Sequence, residues 1–244
     1  MHRFILPSVS AESGQVLLDL KESHHARNVL RVKPGEVVEL LDGAGGKFRA
    51  VVAGFEEGRV ALSVDRRTAE AGAAIEITLA AAVIKPERME WMLEKCCELG
   101  VSRWIPVLTE RNVVKLSRER WEVKIQRWRK IASETCKQSG QARVPQLSEP
   151  VLYKEIIKET PAFDAAWIPT LGVPGQTLKA ALSGAPKARK VLVLIGPEGD
   201  FTDKEVQLAV SNGVKPVSLG AHVLRAETAA LYALSTVHFF YAKS

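Results

Sequence analysis

The sequence predicts an α/β fold with a parallel sheet, preceded by a small antiparallel β-barrel. Three observations lead there. Short β-branched runs punctuated by turn residues fill the first 70 positions, a stretch without large apolar residues follows at 66–74, and beyond it strand and helix patterns alternate. Of the 244 residues, 46% are hydrophobic and 25% charged. That balance suits a chain that buries a core and excludes a disordered or fibrous protein.

In the first region, strands are predicted at 37–41, 47–55 and 59–64. Pro34-Gly35, Asp42-Gly43-Ala44-Gly45-Gly46 and Glu56-Glu57-Gly58 supply the turns between them. Tight turns between strands this short are the pattern of a small barrel. One helix, about 24–30, interrupts them. The glycines at 43–46 lead into a strand and lack the dinucleotide-binding spacing.

The second region opens with a nearly continuous apolar strand at 75–84. Pro86 fits the first turn of a helix that runs to Leu99 and stops at Gly100. A strand at 104–108 precedes a long helix, capped by Ser117 and ended by Gly140, with Trp121, Ile125, Trp128 and Ile131 on one stripe. The two tryptophans are expected to face the core. The alternation continues with a helix at 151–159, a strand at 162–168, a helix at 177–182 and a strand at 190–195. Thr202 caps a helix ended by Asn212-Gly213, a strand follows at 214–219, and a terminal helix spans 227–241. Such alternation implies a parallel sheet covered on both faces. The domains are therefore placed at 1–70 and 74–244.

The net charge of +6 is unevenly spread. Residues 1–70 hold ten basic and ten acidic side chains, whereas 103–143 hold eleven basic and four acidic ones. A cluster of this kind suits a polyanionic partner, because neutralising phosphates releases condensed counterions; a solvated helix face is the alternative. The three cysteines, Cys96, Cys97 and Cys136, have no C-x-x-C spacing. They read as small buried hydrophobes in a reducing compartment, and no metal is expected. The N-terminus lacks an apolar core of about 7–15 residues, so no signal peptide is expected. The apolar runs at 75–84 and 191–195 fall short of the roughly 20 residues that span a bilayer. A cytoplasmic protein is expected.

Ligands of open α/β sheets sit beyond the carboxyl ends of the strands. Three strand ends here carry unusual loops: Pro169-Thr170-Leu171-Gly172-Val173-Pro174-Gly175, Gly196-Pro197-Glu198-Gly199-Asp200-Phe201, and Gly220-Ala221-His222-Val223-Leu224-Arg225-Ala226-Glu227-Thr228. Glycines let backbone groups approach a ligand closely, so a cofactor site and ordinary strand-to-helix turns are both open readings. Glu227 is favoured by the dipole of the last helix, whereas Arg225 at the same terminus is disfavoured and needs an anionic partner, from the protein or from a ligand.

The ordered combination of Gly196-Pro197-Glu198-Gly199, Leu219-Gly220 and Leu224-Arg225-Ala226-Glu227-Thr228-Ala229 resembles the knotted SPOUT methyltransferases, and specifically the RsmE family of 16S rRNA (uracil-N3)-methyltransferases. His24-His25 with Val29-Leu30-Arg31, Lys95 with Glu98-Leu99-Gly100-Val101, and Thr109-Glu110-Arg111 with Gln138-Ser139-Gly140 point the same way. The resemblance implies an RNA-binding PUA-like barrel over 1–70. It also implies a SPOUT methyltransferase domain over 74–244 with a C-terminal trefoil knot, S-adenosyl-L-methionine as cofactor, and a homodimer acting on 16S rRNA of the small ribosomal subunit.

By position, the cofactor cradle would comprise Leu171, Gly172, Ile195, Gly196, Pro197, Glu198, Gly199, Leu219, Gly220, Val223, Leu224, Arg225 and Thr228. Arg225 would stabilise a uracil anion, and Glu227 would accept the N3 proton or orient Arg225; His222 is a weaker candidate base. RNA contacts would come from Arg111, Lys115, Arg118, Gln138 and Arg143, with Arg127 as a further candidate, and from His25, Arg27 and Arg31 in the first domain. Two positions depart from the family pattern. Asp200 stands where another glycine is usual, and Gln141 where an arginine often follows Gln-Ser-Gly, Arg143 coming two residues later. A SPOUT enzyme acting elsewhere on RNA, such as a ribose 2′-hydroxyl, and a non-catalytic RNA-binding assembly factor are the alternatives. A nicotinamide dehydrogenase is disfavoured because no strand–Gly-x-Gly-x-x-Gly–helix unit is present.

Overall fold

The computed structural model describes residues 1–7, 9–10, 14–68, 75–111, 117–171 and 176–242. Contacts divide the chain into two compact units: Met1–Gly72 with Ser133–Val144, and Ala73–Ala132 with Pro145–Ser244.

The first unit contains β1 (Arg3–Ile5), β2 (Gln15–Leu17), α1 (Leu20–His24) continued by a π-helical turn (His25–Val29), β3 (Val37–Leu41), β4 (Lys47–Glu56) and β5 (Arg59–Thr68). The strands form one sheet in the order β1-β3-β4-β5-β2. All neighbours are antiparallel except β1 and β3, which pair parallel. The expected wholly antiparallel arrangement is thus corrected at β1. The connection from β1 to β3 passes through β2 and α1, long enough for the crossover that parallel pairing requires. The β4–β5 hairpin closes on Glu56 opposite Arg59, with Glu57 and Gly58 at φ 47° and 79°. Two central residues at positive φ make the turn whose twist matches the strands. Alternation along β4 buries Phe48, Ala50 and Val52 against Phe4, Leu18, Leu40 and Leu62.

The second unit runs β6 (Glu76–Ala82), α2 (Pro86–Glu98), β7 (Arg103–Leu108), α3 (Arg118–Ser139), β8 (Gln146–Leu147), β9 (Val151–Leu152), α4 (Tyr153–Lys158), β10 (Ala165–Pro169), β11 (Gln176–Thr177), α5 (Leu178–Ser183), β12 (Lys190–Ile195), α6 (Asp203–Ser211), β13 (Lys215–Ser218) and α7 (Ala226–Tyr241). The sheet order is β11-β13-β10-β12-β6-β7-β8, with β9 also on β7, and every ladder is parallel. The two-residue strands β8, β9 and β11 carry no periodic signal of their own, and β9 takes the first two residues of the helix expected at 151–159. Pro86 sits at the start of α2, which ends where Val101 N donates to Cys96 O and Gly100 N to Cys97 O. Thr202 and Glu205 form a reciprocal capping box on α6. Trp104, Trp167 and Trp128 are buried and Trp121 is half-buried against Trp128, their ring centroids 6.1 Å apart.

The end of α3 and the loop after it, 133–144, belong to the first unit. Arg3 Nη1 donates to the carbonyls of Lys137 and Gln138 at 3.3 and 3.0 Å, and Lys137 Nζ donates to Glu22 at 2.8 Å and Glu134 at 2.9 Å. Gly140 ends α3 at φ 76°, a left-handed conformation that favours glycine, and a Cβ there would press on the Arg3 guanidinium at 3.0 Å. Cys96, Cys97 and Cys136 are buried thiols outside any disulfide; burial pushes Cys96 up, and Cys136 up to about 11. Among the described residues, no helix is long and apolar enough to cross a membrane.

Candidate active site

Because β13, β10 and β12 are neighbours in the sheet, the loops leaving their carboxyl ends start side by side. They line one cavity of about 430 Å³. Pro169, Thr170 and Leu171 come from the exit of β10, the stretch from Ile195 to Asp200 from the exit of β12, and Ser218, Leu219, Gly220 and the stretch from His222 to Ala226 from the exit of β13, with Ala229 added by α7. The volume is that of a small-molecule site.

Hydrogen bonds fix these loops to one another. Thr170 N donates to Val217 O at 3.3 Å, and Asp200 N closes a turn onto Pro197 O at 3.0 Å. The Asp200 carboxylate accepts from Thr170 Oγ1 and from Leu171 N, at 2.9 and 2.8 Å. Ser218 Oγ donates to Gly220 O and accepts from Gly220 N, both at 3.2 Å. Gly196 is hemmed in: a Cβ there would lie 3.1 Å from the Phe201 ring and 3.2 Å from Asp200 Oδ1. Gly196 itself lines the cavity through its backbone. Leu171 and Val223 present apolar side chains that are 66% and 76% exposed. Large apolar groups left this open beside a cavity suit a ligand with an apolar face.

A second set of contacts holds the Gly196–Gly199 turn from behind. Arg111 Nη1 donates to the Gly199 carbonyl. Glu205, buried at the start of α6, accepts from Glu110 N at 2.9 Å and from Thr202 N at 2.9 Å. Tyr153 donates its hydroxyl to Glu205 O at 2.9 Å, and burial together with the Glu205 carboxylate pushes that phenol well above its ordinary range.

Residues 72–238 match the family described as RNA methyltransferase domain, and 17–65 match the RNA methyltransferase PUA domain. The chain is 30% identical to ribosomal RNA small subunit methyltransferase E of Bacillus subtilis (strain 168), over 90% of this chain and 88% of that protein. It is 29% identical to the protein of the same name from Synechocystis, over 97% of this chain and 77% of that one. The crystal structure of ribosomal RNA small subunit methyltransferase E from Neisseria gonorrhoeae bound to S-adenosyl methionine superposes with a TM-score of 0.89 at 30% identity, covering 98% of this chain and 97% of that one. The chain belongs to the ribosomal RNA small subunit methyltransferase E family.

In this RNA methyltransferase, eleven of the residues assigned to the cofactor cradle line the cavity: Leu171, Ile195, Gly196, Pro197, Glu198, Gly199, Leu219, Gly220, Val223, Leu224 and Arg225. Gly172 lies outside the described residues, and Thr228 is exposed on α7 and not among the lining residues. Arg225 is the exposed N-cap residue of α7 and His222 an exposed rim residue. Glu227 is buried and pairs with Arg88, Nε to Oε1 at 4.0 Å, while Oε2 has no hydrogen-bond partner among the described residues. Arg88 also lies 3.7 Å from Glu198. Sequence reading missed Arg88, which sits one turn into α2 with nothing in its neighbourhood to single it out.

Among the residues assigned to RNA, Arg27 is exposed, stacks 5.2 Å from the Phe55 ring and donates to Gly58 O. His25 is half-buried at the start of the π-helical turn, and Arg31 is exposed at φ 56°. Gln138 and Arg143 are exposed in the first unit, where Arg143 forms backbone bridges with Gly43 and Ala44. In the second unit Arg118 opens α3, the exposed Arg111 is already engaged by Gly199, and the exposed Arg127 pairs with Glu90 at 2.7 Å. Lys115 lies outside the described residues. Among the described residues, no group of three or more His, Cys, Asp or Glu side chains could hold a metal ion.

Proposed function

We propose that this protein transfers a methyl group from S-adenosylmethionine to N3 of a uridine in 16S rRNA. The observation that carries the reading is the convergence of three strand-exit loops into one cavity with Arg225 at its rim. The bare backbone at Gly196 and the open apolar faces of Leu171 and Val223 fit a nucleoside-bearing methyl donor. When bound, the donor supplies a methyl group on a sulfonium, which is an excellent leaving group.

The chain's own task is to bind, orient and desolvate the reacting pair and to favour a uracil that has lost its N3 proton. Arg225 places a guanidinium at the rim, against the dipole of α7, and so gains most when an anion arrives. It is suited to hold the negative charge that spreads to the uracil oxygens. The burial of Glu227, facing Arg88, supports a role in anchoring the first turn of α7 rather than in taking a proton. His222, which also lines the cavity, stays the weaker candidate for taking the N3 proton.

The same reading covers the assembly and its surroundings. Arg111, Lys115, Arg118, Gln138 and Arg143, with His25, Arg27 and Arg31, would meet the RNA backbone. The resemblance implies a homodimer, and α7 carries Phe239, 86% exposed, with exposed Tyr232 and Phe240 to support one. A trefoil knot through the last strands and a cytoplasmic location complete the proposal. Incubation with methyl-labelled S-adenosylmethionine and 16S rRNA or small subunits, followed by nucleoside mass analysis, tests the reading. Labelled 3-methyluridine is expected. Label on a ribose hydroxyl, or RNA binding without label, would replace it by one of the two alternatives.

A further inference from the structure

We infer that Asp200 is a positioning residue for the methyl donor: its carboxylate clasps the exit of β10 onto the exit of β12 and holds Leu171 as a wall of the cavity. The inference rests on the reading of that cavity as the donor site. Asp200 has φ 59°, a left-handed conformation that a residue with a Cβ rarely adopts. Strain of this kind persists only where surrounding contacts over-determine it, and here they are visible.

Oδ2 accepts from the Thr170 hydroxyl at 2.9 Å and from the Leu171 amide at 2.8 Å, while Oδ1 accepts from the Phe201 amide at 2.8 Å. Both oxygens are thus engaged, one on each loop. The turn hydrogen bond from Asp200 N to Pro197 O ties the clasp to the Gly196–Gly199 turn. Oδ1 also packs where a Cβ on Gly196 would stand, 3.2 Å away. Leu171 therefore has an anchored amide and a side chain 66% exposed beside the cavity. A backbone held in place with an apolar side chain free to meet a ligand is a preorganised wall, and preorganisation lowers the cost of binding.

Asp200→Gly removes the carboxylate and relieves the left-handed strain, so its fold is preserved while the clasp is lost. Asp200→Asn keeps a single acceptor oxygen, and Thr170→Val removes one donor only. Three readouts apply to each variant: amide hydrogen exchange at Leu171 without added nucleoside, titration calorimetry with S-adenosylhomocysteine, and KM for S-adenosylmethionine against kcat on 16S rRNA. For Asp200→Gly, exchange at Leu171 is expected to accelerate and the Kd for S-adenosylhomocysteine and KM to rise about tenfold, the worth of one or two net hydrogen bonds, with kcat falling less than about threefold. Asp200→Asn and Thr170→Val are expected to fall between this variant and the parent. Should Asp200→Gly lose its fold, the same readouts on Thr170→Val decide. Parental affinity with unchanged Leu171 protection overturns the clasp alone. Absence of S-adenosylhomocysteine binding by the parent overturns the donor-site reading and the clasp with it.

Discussion

In the first unit the long-range polar contacts tie structure to structure. Arg3 meets Glu39 at 2.7 Å, Lys137 meets Glu22 at 2.8 Å, and Arg49 pairs with Asp65 across β4 and β5. In the second unit many of them gather at the carboxyl edge of the sheet, where Asp200, Glu205, Arg111, Arg88 and Ser218 hold loops rather than strands. Its remaining bulk is apolar, with Trp104 and Trp167 fully buried. The contrast teaches where charge is informative. The zero net charge of residues 1–70 and several cations of the 103–143 window reflect pairing: Arg103 is held by Glu159, Arg127 by Glu90 and Lys137 by Glu22. Where polar side chains serve loops around a cavity instead, they mark the site.

The largest effect is expected in the apolar bulk of the second unit. Trp167→Ala should lower stability by about 3–5 kcal/mol in a denaturant titration, because a fully buried indole leaves a cavity that the sheet cannot close. A cost below that of Lys137→Met would break the contrast between the units. Arg225→Ala should reduce single-turnover methylation about 10²–10³-fold with nearly unchanged affinity for S-adenosylhomocysteine. Equal loss of both would make Arg225 a structural residue.

Lys137→Met should cost the first unit about 2–3 kcal/mol, since Glu22 would be left with little compensation. The pair also has a pH signature. Burial alone would lower the Lys137 pKa, but hydrogen bonds to Glu22 and Glu134 outweigh burial and raise it above the ordinary 10.5. Its contribution is therefore complete below pH 10.5 and is lost as pH rises through the higher folded-state value. Thermal melts of parent and Lys137→Met should converge at the alkaline end; parallel curves would place the stabilisation elsewhere. The smallest effect belongs to Arg88→Gln: its pair with Glu198 is half-exposed, its pairs with Glu198 and the buried Glu227 are both long, and the amide keeps a donor for either carboxylate. A loss of no more than about fivefold in kcat/KM is expected, in keeping with ~1 kcal/mol or less for such pairs. A loss as deep as that of Arg225→Ala would bring Arg88 into the catalytic machinery.

Much of this was legible residue by residue. The capping box at Thr202 and Glu205, Pro86 at the start of α2 and the turn at Glu57-Gly58 are local signals with local causes. The strand-exit loops were legible for the same reason, because glycine and proline declare a turn wherever they stand. Arg88 was not, since its partners lie more than a hundred positions away in the chain. Nor was the attachment of 133–144 to the first unit, because α3 reads as one uninterrupted helix with a single apolar stripe. Arg111 read as an RNA contact from charge alone, and its bond to the Gly199 carbonyl is invisible until the loops are brought together.

By itself the sequence determined most of the longer strands and helices and the turns between them, and that the last three long strands end in loops able to approach a ligand, because period, caps and turn residues act over a few positions. Tertiary structure alone decided that β10, β12 and β13 are neighbours, that Asp200 joins two of their loops, and that Glu227 faces Arg88. Strand order and side-chain partnership depend on the packing of distant segments, and no local preference encodes them.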